Sequence, residues 1–245
     1  FTQDCPQGDF KELRAQGVVV GSDKKGGLAI LMHAARNYRV WILFFSYAAC
    51  FGIEIFIHNI IAMYYVEHFS FGLKEAGLAA GIFGLLALFA RALGGILSDK
   101  VALKKGLDGR TKVLFGLILG EGLFLMLFSQ MNGPVLAILV MTVFALFTHM
   151  ACGATYALVP FIDREALGGV AGIIGAGGNV GAVAAGFLLK GMLDIQTCLM
   201  VLGGLVVIAA SSVMLIRFSV EHKEKEQRLF EQAILERGSE QNSAA

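Results

Sequence analysis

Long apolar stretches separated by short polar segments dominate the sequence from residue 40 to residue 218. Only 16% of all residues are charged and the mean hydropathy is +0.70, whereas a soluble domain carries about 25% charged residues. Glycine is frequent and proline is rare, as in closely packed membrane helices. The short alternating segments of a membrane β-barrel are not found. We therefore expect an all-α integral membrane protein.

Six membrane spans are predicted, because each needs about 20 apolar residues. They lie at residues 40–65, 75–97, 112–131, 134–158, 167–189 and 196–217. Almost all lysines and arginines fall in the segments on one side of these spans, and only Lys74 and Lys190 fall on the other side. Cytoplasmic loops carry the excess of positive charge, so both ends of the chain are predicted to be cytoplasmic.

Two polar segments flank the spans. Residues 1–39 are glycine-rich and show no sustained period, so we interpret them as a loop or peripheral segment. Residues 219–245 are highly charged, and the last eight, 238–245, are expected to be disordered. One helical face of this tail is apolar, which fits either a helix on the membrane surface or a solvated tail helix. The apolar residues are Leu229, Phe230, Ala233 and Ile234.

Cysteine spacing and net charge indicate no metal site, no cofactor and no nucleic acid partner. The formal net charge is +1, and the cysteines are widely scattered without metal-binding or disulfide spacing. We interpret them as small buried hydrophobic residues. They are Cys5, Cys50, Cys152 and Cys198.

Arg91 lies inside the second predicted span, where a charged side chain costs at least a few kcal/mol. At 100° per residue its side of the helix is lined by small residues, which leaves room for a small anion. The alternative is a structural ion pair, or a side chain that reaches the cytoplasmic interface. The small residues are Gly77, Gly84, Ala87, Gly94 and Gly95.

Four residues of the first span recur along one helical stripe. Tyr47 and Phe51 form an aromatic pair, and Glu54 and His58 follow as titratable groups. The stripe either lines a transport pathway, with Glu54 as a candidate proton carrier, or packs in the core. Glu121 in the third span and His149 in the fourth are isolated, and we interpret both as structural or interfacial groups.

The fifth span is the richest in glycine. Gly177, Gly181 and Ala185 form a row of small residues that favours close helix contact. Asn179 lies on a different face, flanked by Gly168, Gly172, Gly175 and Gly186. Its amide either donates to an oxygen of a bound anion or forms an interhelical hydrogen bond.

The loop after the second span contains Gly95, Asp99 and Lys100, followed by Arg110. This pattern resembles the loop motif of the major facilitator superfamily. Residues 89–95 and 175–181 resemble the eighth and eleventh helices of its nitrate/nitrite porter family. Further segments resemble the plant, algal and fungal high-affinity nitrate transporters of that family. They are residues 4–10, 52–54, 59–62, 151–156 and 159–161.

The resemblance implies that the six spans are helices 7 to 12 of a twelve-helix transporter. Residues 1–39 would be its cytoplasmic central loop, 40–218 its C-terminal six-helix half, and 219–245 its cytoplasmic tail. Arg91 would be one of two arginines that bind the substrate, with the other in the missing N-terminal half. Ala92 departs from the plant pattern, which usually has proline there, and this puts a local helix bend in doubt. The other implied substrate-binding residues are Tyr47, Phe51, Gly175, Gly178 and Asn179, and the implied gating residues are Gly95, Asp99, Lys100 and Arg110.

The function implied is transport of nitrate, with nitrite as a second substrate, across the plasma membrane by alternating access. Resemblance to the eukaryotic branch implies proton symport; nitrate/nitrite antiport and carriage of another small anion remain alternatives. A single-span accessory subunit is a further implied partner. A water or glycerol channel would need two Asn-Pro-Ala loops, and an intramembrane serine protease a buried Ser-His pair, and the sequence offers neither. We therefore expect no enzymatic activity.

Overall fold

The computed structural model describes residues 26–191, 194–226 and 228–229, and every regular element in this part of the chain is helical. Five helices or continuous helix pairs are long and apolar enough to cross a membrane. The prediction of an all-α membrane protein is confirmed. The helices are α1 (Gly27–Ala35), α2 (Tyr38–Tyr47), α3 (Ile53–Phe69), α4 (Leu73–Ser129), α5 (Pro134–Leu158), α6 (Leu167–Gly191) and α7 (Ile195–Val213).

The first membrane helix contains an irregular turn. α2 continues into α3 through a π-helix, Ala48–Gly52, so the helical segment from Tyr38 to Phe69 is unbroken. A π-helix holds one extra residue in its turn and is often found at functional sites. It lies between Tyr47 and Glu54, two residues of the predicted stripe.

Two of the six predicted spans, 75–97 and 112–131, belong to the single long helix α4. Gly106 is its one residue with non-helical dihedral angles, φ 58° and ψ −149°. This region of φ and ψ is open essentially only to glycine, so Gly106 separates α4 into two limbs, residues 73–105 and 107–129. The six predicted spans are thus all helical, and the two within α4 are two helices that meet at the kink of Gly106.

Residues 27–35 form the helix α1 within the segment 1–39, so of the two interpretations, loop or peripheral segment, the described part fits a peripheral segment. α1 packs against α6, where the backbone of Ile30 approaches Gly169. Its outer side chains, including Leu28 and Met32, are exposed, which agrees with a peripheral position. Nine residues are too few to show the sustained period from which a helix is predicted. The resemblance of residues 4–10 and the position of Cys5 fall outside the described residues.

The polar loops and the start of the tail meet at one end of the bundle, here called the tail-side end. Residues 220–226 are helical. Lys223 Nζ donates to Asp108 Oδ2 at 2.6 Å, and Arg164 Nε donates to Glu226 Oε1 at 3.0 Å. The hydrogen bonds to Glu226 also raise the pKa of Arg164. The described start of the tail is therefore docked on the loops, while Phe230, Ala233 and Ile234 of the predicted apolar face, together with 238–245, lie outside the described residues.

At the opposite end of the bundle, α7 begins at a capping residue. Asp194 Oδ1 accepts from the backbone N–H of Thr197 at 2.7 Å, and its Oδ2 accepts from the Thr197 hydroxyl at 2.6 Å. Such a side chain satisfies a backbone donor that the helix cannot pair. The two hydrogen bonds favour the ionised carboxylate and hold the pKa of Asp194 below its usual range.

Glycines allow several helices to pack closely against one another. On α6, a Cβ at Gly177 or Gly181 would collide with the backbone oxygen of Phe44 or Ala48, as the small-residue row predicts. Gly94 of α4 and Gly153 of α5 are equally tight, because their Cβ positions coincide with the backbones of Met150 and Arg91. These contacts hold α6 against α2 and the π-helix, and α4 against α5.

Candidate functional site

Arg91 lies on the first limb of α4 and pairs with Glu54 of α3. Arg91 Nη2 donates to Glu54 Oε1 at 2.6 Å, and the Glu54 side chain is 6% exposed while that of Arg91 is 41% exposed. Arg91 Nε is buried and has no hydrogen-bond partner in the described part of the chain. The guanidinium therefore has one face bound to a carboxylate and further N–H donors that are not used.

An aromatic wall stands beside this ion pair. The ring of Phe51 lies 5.3 Å from Arg91 Cζ, and Tyr47 stacks on Phe51 with the ring centroids 5.0 Å apart. A guanidinium at this distance from an aromatic ring is stabilised by the electrons of the ring. Tyr156 meets Tyr47 edge to face at 5.1 Å, which extends the wall towards α5.

The glycines of α6 accommodate these rings. A Cβ at Gly178 would collide with the ring of Phe51 and lie 3.2 Å from the ring of Tyr47, while one at Gly175 would lie 3.3 Å from the Tyr156 hydroxyl. The aromatic side chains thus lie directly against the α6 backbone. Asn179, the next residue, is exposed and does not belong to this wall.

Three further side chains surround Glu54. His149 Nδ1 of α5 lies 3.3 Å from Glu54 Oε2, and Cys152 Sγ donates to the same oxygen at 3.5 Å. His58 Nε2 lies 4.0 Å from Glu54 Oε1 on the outer side. The buried carboxylate is thus the centre of a polar cluster of α3, α4 and α5, which we call the Glu54 cluster.

His149 belongs to this cluster, although the sequence suggested that it was isolated. It is fully buried, so it is not an interfacial group, and its Nε2 lies 2.9 Å from the carbonyl oxygen of Phe83. Glu121 is also fully buried, and neither of its oxygens has a hydrogen-bond partner among the described residues. The interfacial interpretation is wrong for both residues, because close helix packing at Gly94, Gly120 and Gly122 excludes solvent there.

The residues of the loop motif form a separate cluster at the tail-side end. Arg110 Nη1 donates to Asp99 Oδ1 at 2.5 Å and to Ser98 Oγ at 3.4 Å, and Arg110 Cζ lies 4.7 Å from the ring of Phe161. Lys100 is exposed, and a Cβ at Gly95 would meet no atom within 4 Å, so the close helix contact is made by Gly94 instead. α4 is helical through Ala92, and its only non-helical residue is Gly106.

The class of protein follows from comparison of the sequence with known families. Residues 25–241 match the Major Facilitator Superfamily, and the chain belongs to this family of membrane transporters.

Three relatives of this chain are named nitrate or nitrate/nitrite transporters. The chain is 40% identical over 183 residues to High affinity nitrate transporter 2.5 of Arabidopsis thaliana, covering 75% of this chain and 36% of that protein. It is 37% identical to Nitrate transporter 2.2 of Chlamydomonas reinhardtii, covering 73% of this chain and 35% of that protein. It is 33% identical to the nitrate/nitrite transporter NrtP of Nostoc punctiforme, with 59% and 28% covered. The resemblance to the nitrate/nitrite porter family is confirmed, and the chain spans about a third of the length of these relatives.

Proposed function

We propose that this chain is part of a carrier that moves nitrate, with nitrite as a second substrate, across the plasma membrane by proton-coupled alternating access. The observation that carries the proposal is Arg91, a half-exposed guanidinium within a membrane helix, with unused N–H donors beside an aromatic wall. The names of the relatives support nitrate as the anion.

The chemistry of Arg91 suits a small planar anion. Nitrate spreads its charge over three oxygens, and the flat guanidinium fork offers parallel N–H donors that a lysine lacks. Tyr47 and Phe51 limit the space beside the guanidinium, and Gly175 and Gly178 let these aromatic rings lie close to α6. An incoming anion competes with Glu54 for the same guanidinium, so anion binding changes the surroundings of a buried carboxylate.

We place the anion between this six-helix unit, residues 40–218, and a second unit with its own arginine. Three glycines of α6 and the exposed Asn179 support this placement, because a Cβ added at these glycines would meet no described atom beyond their own stretch of helix. The glycines are Gly168, Gly172 and Gly186. In this arrangement residues 1–39, which include the helix α1, are the cytoplasmic central segment between the two units. Residues 219–245 are a cytoplasmic tail, and a single-span accessory subunit is an additional partner.

The loop cluster would bias the opening of the carrier. Asp99, Arg110 and Phe161 join the break in α4 to the end of α5, so their ion pair favours one arrangement of the two helices. Gly95 and Lys100 belong to the same motif. Breaking the pair would change the rate of the conformational step rather than the affinity for the anion.

Energy coupling follows from the membrane potential. Moving one negative charge into a negative interior costs about 2.3 kcal/mol per 100 mV, so net uptake needs a co-transported cation. Glu54 is the titratable carboxylate in contact with Arg91 and is the first candidate for the proton site. Nitrate/nitrite antiport is the alternative, since exchange of two anions needs no cation.

The test compares two identical changes in the full-length protein reconstituted in liposomes. Arg91→Lys keeps the charge and removes the planar fork, and we expect nitrate uptake to fall by about tenfold or more, corresponding to at least about 1.4 kcal/mol. Arg36→Lys makes the same change at an exposed arginine of the tail-side end and leaves uptake unchanged. Undiminished uptake in Arg91→Lys would remove the basis of the proposal.

A second measurement separates symport from antiport. Liposomes free of internal nitrite are given an inward pH gradient, and the entry of nitrate is followed. Symport predicts nitrate entry that increases with the gradient. Entry that requires internal nitrite and ignores the gradient identifies an antiporter.

A further inference from the structure

His149 and Glu54 form a buried contact that a proton would stabilise. His149 Nε2 lies 2.9 Å from the Phe83 carbonyl oxygen, which can only accept, so Nε2 carries a hydrogen. In a neutral imidazole Nδ1 is then a lone pair, yet it lies 3.3 Å from Glu54 Oε2. A lone pair facing a carboxylate oxygen at this distance is repulsive. Nδ1 has no partner with hydrogen-bond geometry among the described residues, and a proton on His149 or on Glu54 would remove this repulsion.

Burial of the pair increases the effect of this proton on the neighbouring charges. His149 is fully buried and Glu54 is nearly so, and charges interact far more strongly there than in water. The ring of His149 is held between the Phe83 carbonyl group and Glu54 and packs against the Phe83 ring at 4.9 Å. Its alternatives are thus limited to gaining or losing the proton in place.

The charges of the Glu54 cluster link this proton to the anion. Without the proton, the positive charge of Arg91 and the negative charge of Glu54 cancel. A bound anion would then leave the cluster with a net negative charge. With the proton, the cluster carries one positive charge, which the anion neutralises. When the anion takes Arg91 from Glu54, the carboxylate still keeps the proton shared with His149, so it is not left as an unpaired buried charge.

Other groups around the pair are few. Arg91 approaches Glu54 from α4, His58 from its own helix, and Cys152 from α5 as a thiol that donates to Oε2. The π-helix adds Cys50, and the second limb of α4 adds Glu121, which has no donor for its oxygens among the described residues. Of these groups Arg91 is the one cation that contacts Glu54 directly, and it is the group for which the anion competes.

We propose that His149 and Glu54 together form the proton-binding site of the carrier, and that this site binds its proton cooperatively with the anion at Arg91. The proposal rests on the proposed anion transport and names the group that couples it to protons. An N–H bond forms at His149 Nδ1, or an O–H bond at Glu54 Oε2, when water on one side of the membrane delivers a proton. That bond breaks when water on the other side accepts the proton after the anion has left.

The first test measures nitrate affinity against pH in the full-length protein. Linkage requires that the proton strengthens nitrate binding by the factor by which nitrate strengthens proton binding. We expect the apparent affinity of the unmodified protein to be about tenfold higher at about pH 5 than at about pH 8. In His149→Gln the affinity becomes independent of pH. An unmodified protein whose affinity does not change with pH would overturn the proposal.

The second test separates coupling from folding. In His149→Gln, nitrate exchange at equal pH on both sides stays within about twofold, while uptake driven by a pH gradient falls about tenfold or more. His68→Gln is the control, because His68 is an exposed histidine of the same helix as Glu54, α3, that contacts Tyr64 and Gln196 and does not belong to the Glu54 cluster; its uptake stays coupled to the gradient. Loss of exchange and gradient-driven uptake together, with an unchanged melting temperature, would assign His149 a structural role and overturn the proposal.

A spectroscopic measurement is independent of transport. Solid-state nuclear magnetic resonance of the protein with labelled histidine distinguishes imidazolium from neutral imidazole, and the His149→Gln spectrum assigns the signal. Infrared difference spectra against Glu54→Gln detect a protonated carboxylic acid. We expect one of the two signals near neutral pH. A neutral imidazole with an ionised Glu54 contradicts the shared proton, whereas a carrier that moves no nitrate at all contradicts the proposed function instead.

Discussion

Arg91 and Arg110 form two clusters from the same parts, with opposite burial. Each guanidinium pairs with a carboxylate, at 2.6 Å for Arg91 and 2.5 Å for Arg110, and each lies beside a phenylalanine ring. In the first pair the carboxylate is 6% exposed and the arginine 41%. In the second the arginine is 13% exposed and the carboxylate, Asp99, 65%.

The difference shows which arginine can serve an anion. The guanidinium of Arg91 is partly exposed while its partner Glu54 is buried, so an anion can reach the guanidinium. Arg110 is covered, and only its negative partner faces outwards, so its pair can hold a loop but cannot attract an anion. Both clusters pair one arginine with one carboxylate at nearly the same distance, so the proposed anion-binding role of Arg91 rests on the difference in burial.

The largest effect on stability and uptake is expected for a substitution at Gly153, which packs against the backbone of Arg91. A Cβ at Gly153 would collide with the Arg91 backbone oxygen, so Gly153→Val must displace α4 from α5. Overpacking a tight contact costs about 1–3 kcal/mol, and a collision with backbone costs at the upper end or more. We expect a markedly lower melting temperature in detergent and loss of nitrate uptake. Gly172→Ala, at a glycine with no atom near its Cβ position, keeps both, and a stable Gly153→Val protein would show that this contact does not hold Arg91.

Double-mutant cycles compare the two ion pairs directly. The Arg91–Glu54 cycle, with Arg91→Met and Glu54→Gln, should give a coupling of about 2 kcal/mol, because one partner is buried while the half-exposed arginine keeps part of its solvent. The Arg110–Asp99 cycle, with Arg110→Met and Asp99→Asn, should give about 0–1 kcal/mol, since Asp99 is solvated. Unfolding of the purified protein measures both. Equal couplings would mean that burial does not distinguish the clusters.

Removing the charge of Glu54, which competes with the anion for Arg91, should change the free energy of nitrate binding by a smaller amount, about 1 kcal/mol. In Glu54→Gln the guanidinium of Arg91 is no longer neutralised, so nitrate binds about fivefold more tightly and without dependence on pH. Nitrate binding to the full-length protein at several pH values provides the measurement. Weaker nitrate binding than in the unmodified protein would show that Glu54 supports the anion instead of competing with it.

The smallest effect is expected at the tail-side end. Asp99→Asn slows uptake about twofold to fivefold by changing the opening equilibrium, and leaves the affinity for nitrate unaltered. Asp108→Asn, which removes the exposed partner of Lys223, changes stability by less than about 0.5 kcal/mol and serves as the control. A change of affinity in Asp99→Asn would contradict the separation of the two clusters.

Hydropathy predicted the membrane spans well because lipid tolerates few charges, but it does not mark where helices end. Residues 98–111 were expected to be a loop, yet they are helical except at Gly106, because lysine and leucine, which recur in this segment, are good helix formers in water as well. The nine-residue helix α1 was missed because its pattern is too short to show a period.

Some residues of the candidate site could likewise be predicted from the sequence and others could not. Arg91 could be recognised because an isolated cation in a span demands an explanation, and the stripe of Tyr47, Phe51 and Glu54 follows from local spacing. His149 and Cys152 could not be linked to Glu54, because Cys152 is 98 positions away from it and only the packing of α5 on α3 brings them together. A buried histidine in an apolar span is itself a signal that a polar partner exists, although spacing cannot name that partner.

The π-helix at Ala48–Gly52 determines where this helix tolerates a change of length. One turn there holds one residue more than an α-helical turn. Deleting a single codon within it would restore an uninterrupted α-helix and leave the preceding residues in nearly the same orientation relative to Glu54, because the wide turn already accommodates the extra residue. Tyr47 and Phe44 would still face Gly178 and Gly177. A codon deleted within α2, after Phe44, would instead rotate the residues before it by about 100° relative to Glu54 and turn Phe44 away from Gly177.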